Sequence, residues 1–220
     1  MKRLLAVLVC VASLPAIELS AANVAGRVSF VTKRGQHPVV NETLVWLEPA
    51  AKTAPRKAVN LMMSTRGKTL LPHVLVVPVG STVQFPNDDP ISHNLFSLSS
   101  PNNFDLGLYR RGAGKTFTFK TPGVVNVYCN VHPTMSSVIH VMSSPYFGFT
   151  DAAGNFALTD VAPGSYTLVA WNEQGGMTQS KLDVPASGLA NAAITLDSSG
   201  YRATTHLNKE NKPYAPPRDY

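Results

Sequence analysis

The stretch Tyr128-Cys129-Asn130-Val131-His132-Pro133-Thr134-Met135 sets a thiol, an imidazole and a thioether at successive intervals of three residues. Thiolate and thioether are soft donors that suit copper in both of its oxidation states, whereas a hard ion such as calcium wants carboxylates. A blue-copper centre takes two imidazoles, one thiolate and a weak axial thioether, so the stretch supplies Cys129, His132 and Met135 and leaves one imidazole to be found. His93 is the candidate. It lies 36 residues before the cysteine, where the strand ending at Phe85 gives way to the turn Pro86-Asn87-Asp88-Asp89-Pro90 and the histidine opens the next strand. Taken singly, a free cysteine or a methionine is ordinarily core filling, and one strand histidine is ordinarily a satisfied polar residue. The joint spacing of the four is what points to one type 1 copper ion.

Cys129-x2-His132-x2-Met135, preceded by His93-Asn94 and by the strand Val83-x-Phe85-x-Asn87, resembles the cupredoxins, and within them amicyanin and its plastocyanin-like bacterial relatives. The resemblance runs over roughly residues 58–143. It implies an all-β chain with a Greek-key cupredoxin β-sandwich. It also implies a one-electron carrier that cycles Cu(II) and Cu(I) between redox partners and acts on no small-molecule substrate. His132 would then be the imidazole that reaches the surface as the electron port, with Pro133 and Pro90 on its rim, and a redox protein would dock there transiently. His93 would be the buried imidazole. Asn94 would point its backbone amide at the sulfur and tie the two ligand loops together with its side chain.

Two positions depart from the family pattern. Ser136-Ser137 follows Met135 where a glycine is common, and Val131 stands where amicyanin and plastocyanin have proline. Val131 therefore keeps an N–H that proline lacks, free to donate to the Cys129 sulfur beside that of Asn94 and so to raise the reduction potential. A rival reading is a copper-handling protein whose second domain is a scaffold or adhesion element. Multicopper oxidase chemistry is disfavoured because the chain has no His-x-His pair.

The compartment follows from the first 22 residues. Met1-Lys2-Arg3 is a basic start, Leu4 to Ala16 is apolar, and Ser20-Ala21-Ala22 offers the small residues of a cleavage site, so residues 1–22 read as a signal peptide for export to the periplasm. The apolar run is too short for a membrane span, and no other stretch approaches the roughly 20 apolar residues a span needs. Beyond residue 22 one cysteine remains, which excludes an intramolecular disulfide, an iron–sulfur cluster and a c-type haem, and which an oxidising compartment tolerates when a metal occupies the thiol. The formal charge of +6 falls to +5 without Lys2, Arg3 and Glu18. Its basic residues are scattered, which with the export signal disfavours nucleic acid as a partner. Arg110-Arg111 with Lys115 is the one local cluster, placed to steer an acidic protein partner.

Strand periodicity divides the chain. Val24 to Thr32 and Thr43 to Glu48 read as two strands joined through Lys33-Arg34-Gly35-Gln36, and eight more follow between Val59 and Met142. After Pro145 the pattern Thr150-Asp151-x-x-Gly154-x-Phe156, then Pro163-Gly164-Ser165-Tyr166, resembles the carboxypeptidase regulatory-like (transthyretin-like) sandwich modules, with hairpin turns expected at Asp151–Asn155 and at Pro163-Gly164. Residues 146–197 hold about five strands, marginal for two sheets, and the N-terminal pair raises the number to about seven. The expectation is a discontinuous second β-sandwich of residues 23–50 plus 146–197, with a copper-binding domain at 51–145 inserted between its halves and a disordered tail at 198–220. The simpler alternative makes the N-terminal pair an extra edge of the copper domain. His37, His73, His140 and His206 lack partners at metal spacing and read as surface residues, and Met62-Met63 near His73 reads as core rather than a second copper site.

Overall fold

The computed structural model describes residues 21–51 and 53–214. The expected export signal lies outside the described residues except for Ala21 and Ala22. Among the described residues there are seventeen strands and one short 3-10 turn, and no helix is long and apolar enough to cross a membrane. In chain order the strands are β1 (Ala22–Val31), β2 (Leu44–Pro49), β3 (Asn60–Met62), β4 (Ser64–Arg66), β5 (Thr69–Leu71), β6 (Val74–Pro78), β7 (Thr82–Asn87), β8 (Leu95–Ser97) and β9 (Phe104–Asp105). They continue as β10 (Gly112–Thr118), β11 (Gly123–Cys129), β12 (Ser136–Met142), β13 (Phe147–Phe149), β14 (Asn155–Val161), β15 (Gly164–Asn172), β16 (Gly176–Val184) and β17 (Leu189–Asp197).

These strands make four sheets. One is β14-β1-β17 and a second is β13-β2-β15-β16; the others are β10-β7-β4-β5, with β3 also on β7, and β6-β12-β11-β8-β9. Inward residues of the last two, such as Val83 and Phe85 on β7 and Val125, Val127 and Ile139 on β11 and β12, share one core with Cys129. Inward residues of the first two, such as Val28, Leu47, Phe156, Leu168 and Leu196, share another. Each pair is thus a two-sheet sandwich built on period-two alternation.

The two sandwiches meet through strands buried on both faces. On β2, Val45 and Leu47 point into their own core while Leu44 and Trp46 join Val169 of β15 and Met142 of β12 in a third cluster. A strand covered on both sides must be apolar at every position, which is why Leu44 to Leu47 reads as an unbroken run. β12 is covered on both sides as well: Ser137 to Met142 are all buried, with Ser137 and His140 as polar exceptions in an otherwise apolar run. Polar ties flank the cluster: His73 Nε2 lies 2.6 Å from Glu173, and the Arg56 guanidinium stacks 4.1 Å over the Phe147 ring.

Several expectations change in three dimensions. β1 pairs with β14 and β17, and β2 with β13 and β15, so neither extends a sheet of the sandwich that holds Cys129. Asp151–Asn155 and Pro163-Gly164 are corners rather than hairpin turns, because β13 and β15 lie in one sheet and β14 in the other. The N-terminal strands fill the slots that local hairpins would have used. The hairpin in this region is β15–β16, turning at Glu173-Gln174-Gly175. The hairpin β4–β5 escapes sequence reading, since its strands are three residues each and turn on Gly67 and Lys68, both at positive φ. Met63 is core, while Met62 is 56% exposed. Residues 198–214 carry no strand, yet from His206 to Tyr214 they hydrogen-bond to the sandwich that holds Cys129. Composition marks such a segment as irregular but does not show what it docks against.

His140 is the largest departure among the histidines. On β12 it faces the junction, where its ring sits 4.2 Å from that of Trp171 and 6.2 Å from that of Trp46. It is 3% exposed, and among the described residues its Nε2 has no hydrogen-bond partner. Burial pushes its pKa down to about 4. The neutral ring is therefore favoured in the folded chain and the cation in the unfolded one. Stability is lost as pH falls from about 6.5 to about 4, by on the order of 3 kcal/mol for this group. His140→Phe, which keeps a ring between the two tryptophans, should remove that part of the acid sensitivity. Thermal unfolding of the two proteins at pH 7 and pH 4.5 checks this: the wild-type melting temperature should drop further than that of the variant.

Candidate metal centre

The site is built where β11 runs out. β11 pairs with β12 from Gly123↔Val141 to Tyr128↔Ser136 and, at its end, with β8 through Tyr128↔Phe96 and Cys129↔Leu95. Alternation along Val125, Val127 and Cys129 delivers the thiol to the core, where Cys129 is fully buried. The chain then leaves the sheet under three backbone hydrogen bonds. Asn130 N–H donates to Asn94 O at 2.8 Å, Met135 N–H to His132 O at 3.1 Å, and Cys129 N–H to Met135 O at 3.1 Å. This closed turn brings Met135, 1% exposed, back into the same buried cluster as Cys129.

His93 arrives from the other loop. Asn87, buried at the end of β7, organises the turn with its side chain: Oδ1 accepts from Asp89 N–H at 2.9 Å and from Thr65 Oγ1 at 2.8 Å, and Nδ2 donates to Ile91 O at 2.8 Å. A two-way bridge with Tyr109 then fixes the His93 backbone.

Three donor atoms converge. Cys129 Sγ lies 3.7 Å from His93 Nδ1 and 3.6 Å from His132 Nδ1. The three lie within 4.8 Å of one another, and the two imidazole centres are 5.0 Å apart. Bonds of about 2.3 Å to sulfur and about 2.0 Å to nitrogen at near-trigonal angles separate S and N by about 3.7 Å, so the cluster fits a small first-row ion. Buried thiolate, two imidazoles and an adjacent thioether form the soft donor set that copper accepts in both oxidation states. His93 is fully buried and His132 partly exposed; Pro90, Pro133, Arg110 and Arg111 are exposed. Burial, followed by His93 and Lys68, holds the His132 pKa below its ordinary value.

Asn94 and Val131 sit differently from expectation. The ligand loops are tied by the Asn94 backbone carbonyl, while the Asn94 side chain donates to Asp105. Among the described residues the polar partners of the sulfur are the two imidazoles, and neither the Asn94 nor the Val131 amide is one. Val131 is 47% exposed on the outer side of the loop. The antiparallel pairing sets this arrangement, because it directs the Asn130 amide at Asn94 before the chain turns.

One residue of the candidate site was not read from the sequence. The Asp89 carboxylate is buried and lies 2.9 Å from His93 Nε2. With Nδ1 given to a metal, Nε2 would carry the proton and donate to Asp89. Two backbone amides at the β4–β5 turn, Gly67 N–H at 2.6 Å and Lys68 N–H at 3.0 Å, donate to the same carboxylate. Burial alone would raise the Asp89 pKa, but the Lys68 amide, His93 and the Gly67 amide together hold it below the usual carboxylate range. The available signal was an acidic residue four positions before the ligand histidine in an Asn-Asp-Asp-Pro turn.

No protein-family model matches the chain, and no curated protein does. Solved structures with likeness to it include a purple cupredoxin from Nitrosopumilus maritimus, 26% identical over 37% of this chain and 99% of that one, with a TM-score of 0.33. A proline-to-phenylalanine variant of amicyanin in its reduced state is 18% identical over 44% of this chain and 99% of that one, with a TM-score of 0.35. A copper-containing nitrite reductase from Thermus scotoductus SA-01 is 25% identical over 52% of this chain and 28% of that one, with a TM-score of 0.36. What the site can do follows from its own geometry.

The carboxylate behind His93 makes that imidazole a stronger donor and favours the more highly charged ion. Asp89→Asn keeps an acceptor for Nε2 but deletes the charge. It should weaken Cu(II) binding by roughly 10- to 100-fold and raise the reduction potential, by about 59 mV for each tenfold by which Cu(II) is weakened more than Cu(I). Voltammetry of the two copper-loaded proteins checks this; an equal or lower potential in the variant would count against a charge on Asp89.

Proposed function

We propose that this protein is an exported type 1 copper protein that carries single electrons between redox partners and transforms no substrate of its own. The carrying observation is the sulfur of Cys129 set 3.6–3.7 Å from two imidazole Nδ1 atoms, with Met135 buried in the same cluster. Copper bound there supplies a reversible Cu(II)/Cu(I) couple. The chain's own contribution is to hold the ligands still. Three backbone bonds, the His93–Tyr109 bridge and Asp89 behind His93 leave little for the ligands to rearrange as charge changes. Of the candidate ligands His132 is the one that is partly exposed, which supports it as the electron port, and Pro90 and Pro133, both exposed, remain the rim residues of this reading.

On this reading residues 51–145 are the copper-binding cupredoxin domain, inserted into a discontinuous sandwich of residues 23–50 and 146–197. The exposed pair Arg110-Arg111 favours a docking partner with an acidic face. Periplasmic location rests on the basic and apolar start of the sequence.

Loading the metal-free protein with one equivalent of copper should produce an intense visible band from thiolate-to-copper charge transfer, together with a reversible one-electron wave. Cys129→Ser should abolish the band while leaving the β-sheet circular dichroism unchanged. A variant that stays blue would overturn the ligand assignment. Charge reversal at Arg110 and Arg111 should flatten the salt dependence of electron transfer to an acidic redox protein, with little effect above about 1 M salt, where the screening length is about 3 Å. Stopped-flow rates across an ionic-strength series measure this.

A further inference from the structure

Residues 206–214 return to the ligand-bearing sandwich and engage three consecutive residues at the end of β11. The His206 ring stacks on Tyr128, with centroids 4.4 Å apart and planes 18° from parallel. Tyr214 Oη donates to Cys129 O at 2.7 Å, and Lys209 N–H donates to Asn130 Oδ1 at 2.9 Å. Lys209 Nζ also pairs with Asp105 at 2.9 Å, and Asp105 accepts from the Asn94 side chain. The segment therefore holds the thiolate loop directly and the His93 loop through Asp105.

The segment is shaped before it docks. Asn208 Oδ1 accepts from the Glu210 and Lys212 amides, Asn208 N–H donates to Lys212 O, and Asn211 adopts φ 59° at the tip. Side-chain acceptors of this kind stabilise a turn locally, so the cost of ordering it is largely met within the loop. Tyr214 and His206 brace one another, with Tyr214 Oη 3.3 Å from His206 Nδ1 and the rings edge to face.

We infer that residues 206–214 form a clasp that positions the Cys129 backbone, with Tyr214 as its positioning residue, so that a segment beyond the second sandwich sets how firmly the thiolate loop is held. Cys129 N–H is satisfied by Met135 O and Cys129 O by Tyr214, which leaves the ligand's peptide groups fixed from both sides. The consequence for the metal rests on the copper reading; the consequence for the loop does not.

Two variants of the full protein separate these. A chain ending at Ala203 removes the clasp without touching either core, and Tyr214→Phe removes only the hydroxyl. In the metal-free proteins, amide hydrogen exchange at residues 129–135 should be roughly tenfold or more faster in the shortened chain and roughly two- to tenfold faster in Tyr214→Phe, with exchange in β6 and β12 unchanged. In the copper-loaded proteins, release to excess chelator should quicken in the same order and the visible charge-transfer band should shift. Equal exchange at residues 129–135 in all three proteins overturns the clasp. If the unaltered protein takes up no copper, the copper reading fails while the exchange measurement still decides the clasp.

Discussion

The hydrogen bond from Asn130 N–H to Asn94 O is the constraint on which the site depends. It continues the β11–β8 pairing by one rung, from one residue past the cysteine to the residue that follows His93. Antiparallel pairing fixes which side chains face the core, so this rung places Cys129 inward beside His93 and leaves the chain free to turn immediately afterwards. A slip of one residue would send the thiol to the opposite face and dissolve the donor set. The tight return from His132 to Met135 then needs only two further backbone bonds to complete it.

Around that rung, the structure holds one imidazole from behind. His93 is backed by a buried carboxylate, and that carboxylate is held by two amides at the tip of the β4–β5 hairpin. The hairpin consequently has a purpose that its six strand residues would not suggest: it supplies the donors that let Asp89 stay charged inside the protein. Among the described residues His132 has no comparable backing and it remains partly exposed, so the two imidazoles are held unequally.

The second sandwich is joined to the first by an apolar face rather than by a linker. Strands β2, β12 and β15 are buried on both sides, and the junction closes over His140, a titratable group without a partner for Nε2. Burying an imidazole this way is inexpensive near neutrality, where the ring is neutral, and grows costly in acid. The modules are also connected by His73 and Glu173, so the junction combines an apolar centre with a polar rim.

The candidate donor set was legible in the sequence because metal chemistry constrains residue type and short spacing together: Cys129, His132 and Met135 sit in one turn, and His93 with Asn94 follows a marked strand end. The all-β class was legible because alternation is a local property. Strand partners, by contrast, required the tertiary structure. Asp151–Asn155 and Pro163-Gly164 carry correct turn chemistry, yet which sheet the next strand joins depends on β1 and β2, more than a hundred residues away. Asp89, His140 and Tyr214 were missed for the same reason. Each owes its environment to contacts between segments distant in sequence, and burial and hydrogen-bond satisfaction are properties of the packed chain, which no window of sequence contains.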